Sequence, residues 1–283
     1  MFIRYPSKHA DVPLRQIVPN VLTAIGLCSG MAALHFATRG DWDRAMYAVL
    51  LALVFDGLDG RAARLLRVTS GFGAVLDSLA DFLSFGVAPA FILYQWMLKD
   101  EDAFGLAAVI TYVLCAALRL ARFTAAAHAP KPEHARPDKA STKFFTGMPS
   151  PAAACAVLLP IMLHESKHVT QWNGGHFVTP ALLVTLYTFL VGGLMISRLP
   201  MYSFKKLRVP RPLIVPLMAL AGILVVFAIK DFWLTIGMLS GVYLLSLPVS
   251  IRSNRRLAAS GTTGAEHGAT LPPRESGAAL GHT

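Results

Sequence analysis

Charge is scarce in this sequence: Asp, Glu, Lys and Arg make up 15% of its 283 residues, against roughly 25% in a typical soluble domain. Hydrophobic residues make up 54%, and mean hydropathy is +0.53. Together these argue against ordinary soluble domains and for a chain that crosses a membrane several times. Cysteine is scarcer still. Cys28, Cys115 and Cys155 lie in apolar stretches without Cys-x-x-Cys spacing, which implies neither a disulfide framework nor a thiolate metal site. There is no Walker A loop and no Gly-x-Ser-x-Gly elbow, and Gly71-Phe72-Gly73 lacks the third glycine of a dinucleotide fingerprint. No internal period of 20 to 50 residues marks a repeat array. The N-terminal Met-Phe-Ile-Arg-Tyr-Pro-Ser-Lys lacks a basic region followed by an apolar core and cleavage site, so no cleaved signal peptide is expected.

What is present is a series of apolar stretches ended by charged, Pro-rich or Gly-rich breaks. They predict an all-α, polytopic membrane helix bundle with eight transmembrane helices, over about 17–37, 45–66, 73–98, 104–125, 149–165, 178–198, 212–229 and 231–250. The basic residues alternate between the connections. One side collects Arg4, Lys8 and Arg15, then Arg61, Arg64 and Arg67, then Arg119, Arg122 and Lys131 through Lys143. It also collects Arg198 through Arg211 and Arg252 through Arg256, whereas the other side has Arg39, Arg44, Lys99, Lys167 and Lys230. By the positive-inside rule both termini are expected in the cytoplasm. The same rule, with basic attraction to anionic headgroups, explains a net charge of +10 without nucleic acid. Trp42, Trp96, Trp172 and Trp233 fall near span ends as interfacial anchors. Residues 1–16 are expected to lie along the membrane surface, 17–250 to form the membrane domain, and 251–283 to be a disordered cytoplasmic tail.

Four acids break the apolar pattern. Asp56 and Asp59 are three apart, and Asp77 and Asp81 four apart, so on helices each pair projects from one face. A short turn around Arg67 to Phe72 would make the two helices antiparallel neighbours and bring all four carboxylates together near the cytoplasmic rim. Four ionised carboxylates in a low-dielectric site repel one another, and divalent cations relieve this. With oxygen ligands and no His or Cys nearby, Mg2+ or Mn2+ is favoured over zinc. Two bridged ions would clamp an in-line displacement at phosphorus. Gly60 lies one turn after Asp56 and Gly73 one turn before Asp77, where a missing side chain lets a phosphate ligand approach the backbone. An Asp-Arg pair or a proton relay is the simpler reading of one intramembrane Asp, but it does not account for four at this spacing. His164, His168 and His176 are read as exposed loop histidines, since Glu165 is the one acid beside them.

The string Asp56-x-x-Asp59-Gly60-x-x-Ala63-Arg64, eight residues, then Gly73-x-x-x-Asp77-x-x-x-Asp81 resembles the CDP-alcohol phosphatidyltransferase family at every position. The resemblance implies a membrane enzyme that moves a phosphatidyl group from a CDP-linked lipid to an alcohol and releases CMP. It implies that Asp56, Asp59 and Asp77 ligate metal, with Asp81 ligating a second ion and acting as the base. It also places Asn20, Thr23, Gly60, Arg64 and Ser70 along the nucleotide and pyrophosphate, and implies a homodimer.

The four-acid pattern does not choose the alcohol. Arg119-Leu-Ala-Arg122-Phe123, Phe145-Thr-Gly147-Met-Pro149-Ser150-Pro151 and Ser197-Arg198-Leu-Pro200-Met-Tyr-Ser203 resemble the phosphatidylserine synthase branch of that family, in which eight spans replace six. Thr124 stands where that branch usually has Asn. Serine is a zwitterion, and Arg119, Arg122 and Arg198 are candidates to receive its carboxylate; each also fits a role in topology or headgroup binding. The expected location is a bacterial cytoplasmic membrane with the site facing the cytoplasm. Choline or glycerol 3-phosphate as acceptor, and a cation transporter using the Asp cluster as an ion path, are the rival readings.

Overall fold

A computed structural model describes residues 14–68, 70–128, 144–167, 169, 180–197, 200–202 and 213–246. The first thirteen residues, Arg198, His168, His176 and the tail from 247 onward, about which the sequence makes predictions, lie outside the described residues.

Helix is found in each of the eight predicted stretches. The first two are α1 (Leu14–Thr38) and α2 (Trp42–Leu66). The third stretch is one continuous rod with a change of winding: α3 (Gly71–Asp81), a π-helical turn (Phe82–Val87), and α4 (Ala88–Trp96). A short 3-10 turn (Leu98–Glu101) leads into α5 (Asp102–His128). The predicted 149–165 helix is broken at Leu158 into α6 (Ser150–Val157) and α7 (Leu159–Glu165), with Pro160 just inside the second piece. Then come α8 (Ala181–Ile196), α9 (Ile214–Lys230) and α10 (Phe232–Ser246). Ile17–Thr38, Gly71–Trp96 and Leu98–Ala126 are long and apolar enough to cross a membrane. The all-α expectation needs one small correction. Phe144–Thr146 and Pro200–Tyr202 form an antiparallel two-stranded pair, with Phe145 opposite Met201.

The architecture is a helical bundle with α1 at the junction of two layers. α1 packs along α2 and also lies against α3 and α4, while α5 packs on α8 and on the π turn. The core is rich in alanine, with Ala33, Ala45, Ala52, Ala88, Ala153 and Ala154 buried among larger side chains such as Phe85, Ile92, Tyr112 and Met162. Small side chains let helices approach closely, as membrane bundles require. At Gly192 of α8 an added Cβ would sit 3.3 Å from the Cα of Tyr112 in α5. The outside is apolar too, with Leu65, Val75, Leu114 and Val215 all exposed. That large apolar surface suits lipid contact and would be a liability in water.

α10 is fixed at its N-terminal end. Asp231 accepts from the Ser166 hydroxyl (2.7 Å) and from the Leu234 backbone N–H (3.1 Å), so one carboxylate caps α10 and ties it to the end of α7. Trp233 Nε1 donates to Asp43 at the start of α2 (2.6 Å).

Candidate active site

The site grows from the ends of three helices. α2 ends at Arg67, whose φ of 51° places it in the left-handed region and whose N–H bonds the carbonyls of Ala63 and Arg64. The chain then turns, and the Ser70 hydroxyl accepts from the Gly73 N–H (2.9 Å) to start α3. α2 thus brings Asp56 and Asp59 to the same end of the bundle as Asp77 and Asp81 of α3, both helices lying against α1.

One carboxylate oxygen each from Asp56, Asp59 and Asp77 lies within 4.8 Å of the others. Asp81 lies beside them, lining one small hollow together with Asp56, Asp59 and Asp77. Asp59 is buried, and the Thr23 hydroxyl of α1 lies 2.6 Å from its Oδ2 and 3.0 Å from the Pro19 carbonyl. One hydroxyl proton serves one acceptor at a time, and the charged carboxylate is the stronger. Thr23 therefore orients Asp59, a more specific placement than its expected position along the nucleotide. Among the described residues the ion pairs are Arg44 with Asp41 and His164 with Glu165, so no described cation lies within 4.0 Å of these four acids. An all-oxygen, negatively charged donor set without a counter-ion among the described residues fits a hard divalent cation.

Beside the acids an open cleft of about 200 Å³ runs between α1 and the α2–α3 turn. Asn20, Thr23, Asp59, Gly60, Ser70, Gly73 and Asp77 all line it, so seven predicted residues share one cavity. Asp56 and Asp81 line a smaller hollow immediately deeper, also bordered by Thr23, Asp59 and Asp77. Arg64 is exposed on the last turn of α2 and is not among the residues lining the cleft. The two glycines differ. A Cβ at Gly60 would meet nothing within 4 Å, whereas one at Gly73 would fall 2.6 Å from Asn20 Oδ1 and 2.9 Å from Ser70 Oγ. Gly73→Ala must therefore displace Asn20 or the cap of α3. We expect it to raise the KM for the nucleotide-linked substrate about tenfold with a smaller effect on kcat. A titration of initial rate against that substrate checks this.

The three separate stretches around Arg119, Ser150 and Ser197 converge. Arg119 Nη1 donates to the Ser150 hydroxyl at 2.5 Å, and Arg122 Nη1 donates to the Ile196 carbonyl at 3.0 Å. Gly147, at φ +83°, is locked between them: a Cβ there would sit 2.9 Å from the carbonyls of both Met195 and Ser197. Arg119 Nε is buried without a hydrogen-bond partner among the described residues, and the side chain interacts electrostatically with Asp81 and Tyr243. Arg119 thus joins the carboxylate site, while Arg122 is exposed and engaged at the α8 terminus. The Thr124 hydroxyl bonds back to the Leu120 carbonyl (2.5 Å). Sequence reasoning did not single out Ser150 as the partner of Arg119, nor Tyr112 and Tyr243. The first follows only from folding residues 31 apart together.

Two kinds of similarity bear on this geometry. The family model of the CDP-alcohol phosphatidyltransferases matches residues 16–191, which contain all four acids and the cleft. A protein of Mycobacterium tuberculosis named CDP-diacylglycerol–serine O-phosphatidyltransferase is 34% identical over 247 residues, 86% of this chain and 81% of the relative. Proteins of the same name from Helicobacter pylori (35% over 192 residues, 68% of this chain and 74% of the relative) and Methanocaldococcus jannaschii (28% over 226 residues, 80% and 91%) are also similar. A matched model over more than half the chain, together with a relative covered over most of its length, establishes the family. The chain belongs to the CDP-alcohol phosphatidyltransferases.

Proposed function

We propose that this protein transfers the phosphatidyl group of CDP-diacylglycerol to the hydroxyl of L-serine, forming phosphatidylserine and CMP. The observation that carries the choice of serine is Arg119. Its buried Nε donor has no partner among the described residues, and its side chain lies in the field of Asp81. A buried guanidinium N–H left open is costly unless substrate supplies the acceptor, and a carboxylate matches guanidinium geometry. The names of the relatives agree with this acceptor.

In this reading the CDP headgroup occupies the cleft, with Asn20, Ser70, Gly73 and the open face at Gly60 along it, and the exposed Arg64 on the last turn of α2 reaches its phosphates from outside. Asp56, Asp59, Asp77 and Asp81 hold two Mg2+ or Mn2+ ions, which when bound offset the charge of the pyrophosphate and of the departing CMP. Asp81 takes the proton from the serine hydroxyl, the oxygen attacks the phosphorus that carries diacylglycerol, and the bond to CMP breaks with its electron pair leaving on CMP. Arg119 receives the serine carboxylate, assisted by Arg122 and Arg198 from the neighbouring helix ends. The distribution of basic residues supports eight spans with both termini in the cytoplasm and the site facing it; the membrane in this reading is a bacterial inner membrane. The protein acts as a homodimer.

The test is acceptor choice. Purified protein with CDP-diacylglycerol and Mn2+ is offered serine, choline and glycerol 3-phosphate, and CMP is measured. Serine is expected to be preferred, and Arg119→Ala to weaken serine use about a hundredfold through its KM. CMP release with choline or glycerol 3-phosphate but not serine would move the protein to another branch. No CMP with any alcohol would favour an ion-path reading of the acids.

A further inference from the structure

The π-helical turn Phe82–Val87 begins at the residue after Asp81, and its cause lies just beyond it, in Pro89. Pro89 has no N–H, so the Phe85 carbonyl, four residues earlier, loses the donor that an α-helix would bring it, and the proline ring crowds that same carbonyl. The helix widens there, Ala88 N–H reaching back to Leu83. The released Phe85 carbonyl is deep in the protein and is taken up by the Tyr112 hydroxyl of α5 at 3.1 Å. Tyr112 is fully buried, so each group would otherwise be a buried polar atom without its partner.

The location of this bond gives it a consequence for chemistry. Tyr112 and Arg119 are seven residues apart on α5, two turns along one face. Asp81 closes α3 at the edge of the widened turn that Tyr112 holds. One hydrogen bond thus ties the helix carrying the base to the helix carrying the acceptor-binding arginine. The helices touch closely around it: a Cβ on Gly86 would lie 3.1 Å from that of Ala116. On the other side, Ser84 Oγ lies 3.4 Å from the Gly26 carbonyl of α1. We infer that Tyr112 is a positioning residue for the phosphatidyl transfer proposed above: through the Phe85 carbonyl it fixes the offset between Asp81 and Arg119 without touching either substrate. The inference rests on that functional reading.

Tyr112→Phe removes the hydroxyl and leaves the ring. The full-length protein is assayed for kcat and for the KM of serine and of CDP-diacylglycerol, alone and with Pro89→Ala, which restores an N–H able to reach Phe85. Tyr112→Phe is expected to lower kcat/KM for serine about tenfold, with the KM for CDP-diacylglycerol unchanged. With Pro89→Ala already present, adding Tyr112→Phe is expected to cost less than about threefold, because the carbonyl is no longer orphaned. Wild-type serine kinetics for Tyr112→Phe would overturn the inference and leave the transferase reading intact. So would equal losses in both backgrounds, or a parallel change in the two KM values. If Tyr112→Phe cannot be purified folded, a folded and active double variant supports the inference, and an unfolded one overturns it in favour of a purely structural bond. A wild-type protein inactive with every alcohol would remove both readings together.

Discussion

Asp81→Asn is expected to reduce CMP release with serine by at least about 10³-fold, while CDP-diacylglycerol still binds within about tenfold of the wild-type affinity. The substitution keeps the shape of the side chain and removes the group that accepts a proton. Its two effects separate because of where the residue lies. Asp81 is on the last turn of α3 in the deeper hollow with Asp56, whereas the larger cleft is lined by Asn20, Thr23, Ser70 and Gly73. A nucleotide headgroup held in the cleft retains those contacts. A serine hydroxyl between Asp81 and Arg119 loses its base. Initial rates, together with a separate equilibrium binding measurement, report the two quantities; unchanged turnover would remove Asp81 from the role of base.

The second large effect is metal removal. Chelation with EDTA is expected to bring activity to background, and added Mg2+ or Mn2+ to restore it. Asp56, Asp59 and Asp77 place three ligand oxygens within 4.8 Å, and the described residues supply no Lys, Arg or His within ion-pair distance. Without divalent ions these acids repel a pyrophosphate as well as one another. The Thr23 contact gives a finer test. Thr23→Val deletes the hydroxyl 2.6 Å from Asp59 Oδ2, and should raise the Mn2+ concentration for half-maximal activity about tenfold, as loss of a group that orients a ligand does. Activity that persists in EDTA after exhaustive dialysis would contradict the assignment of these acids.

The spacing of Asp56, Asp59, Asp77 and Asp81 made the carboxylate cluster legible because it depends on the end of one helix, one turn and the next helix, all local in sequence. The apolar runs located the helical stretches for the same reason. What the sequence did not disclose was how distant parts meet. The antiparallel neighbours foreseen in α2 and α3 are both arranged against α1, and this gives Thr23 its hold on Asp59. Arg119 finds Ser150, and Arg122 finds the Ile196 carbonyl 74 residues on, through packing of α5, α6 and α8. The short strand pair was missed because each strand is three residues long and pairs across more than 50 residues of chain. The π turn did leave a trace, Pro89 four residues after Phe85, but proline alone announces a kink and not the tyrosine that fills the gap.

The central claim is that one site, built on the four acids, makes phosphatidylserine. It is tested most directly by following purified full-length protein with CDP-diacylglycerol, Mn2+ and isotopically labelled serine, and quantifying CMP and labelled lipid in the same time course. The account predicts that the two products rise together in equal amounts and that label enters phosphatidylserine. CMP without labelled lipid, or no CMP at all, would contradict it.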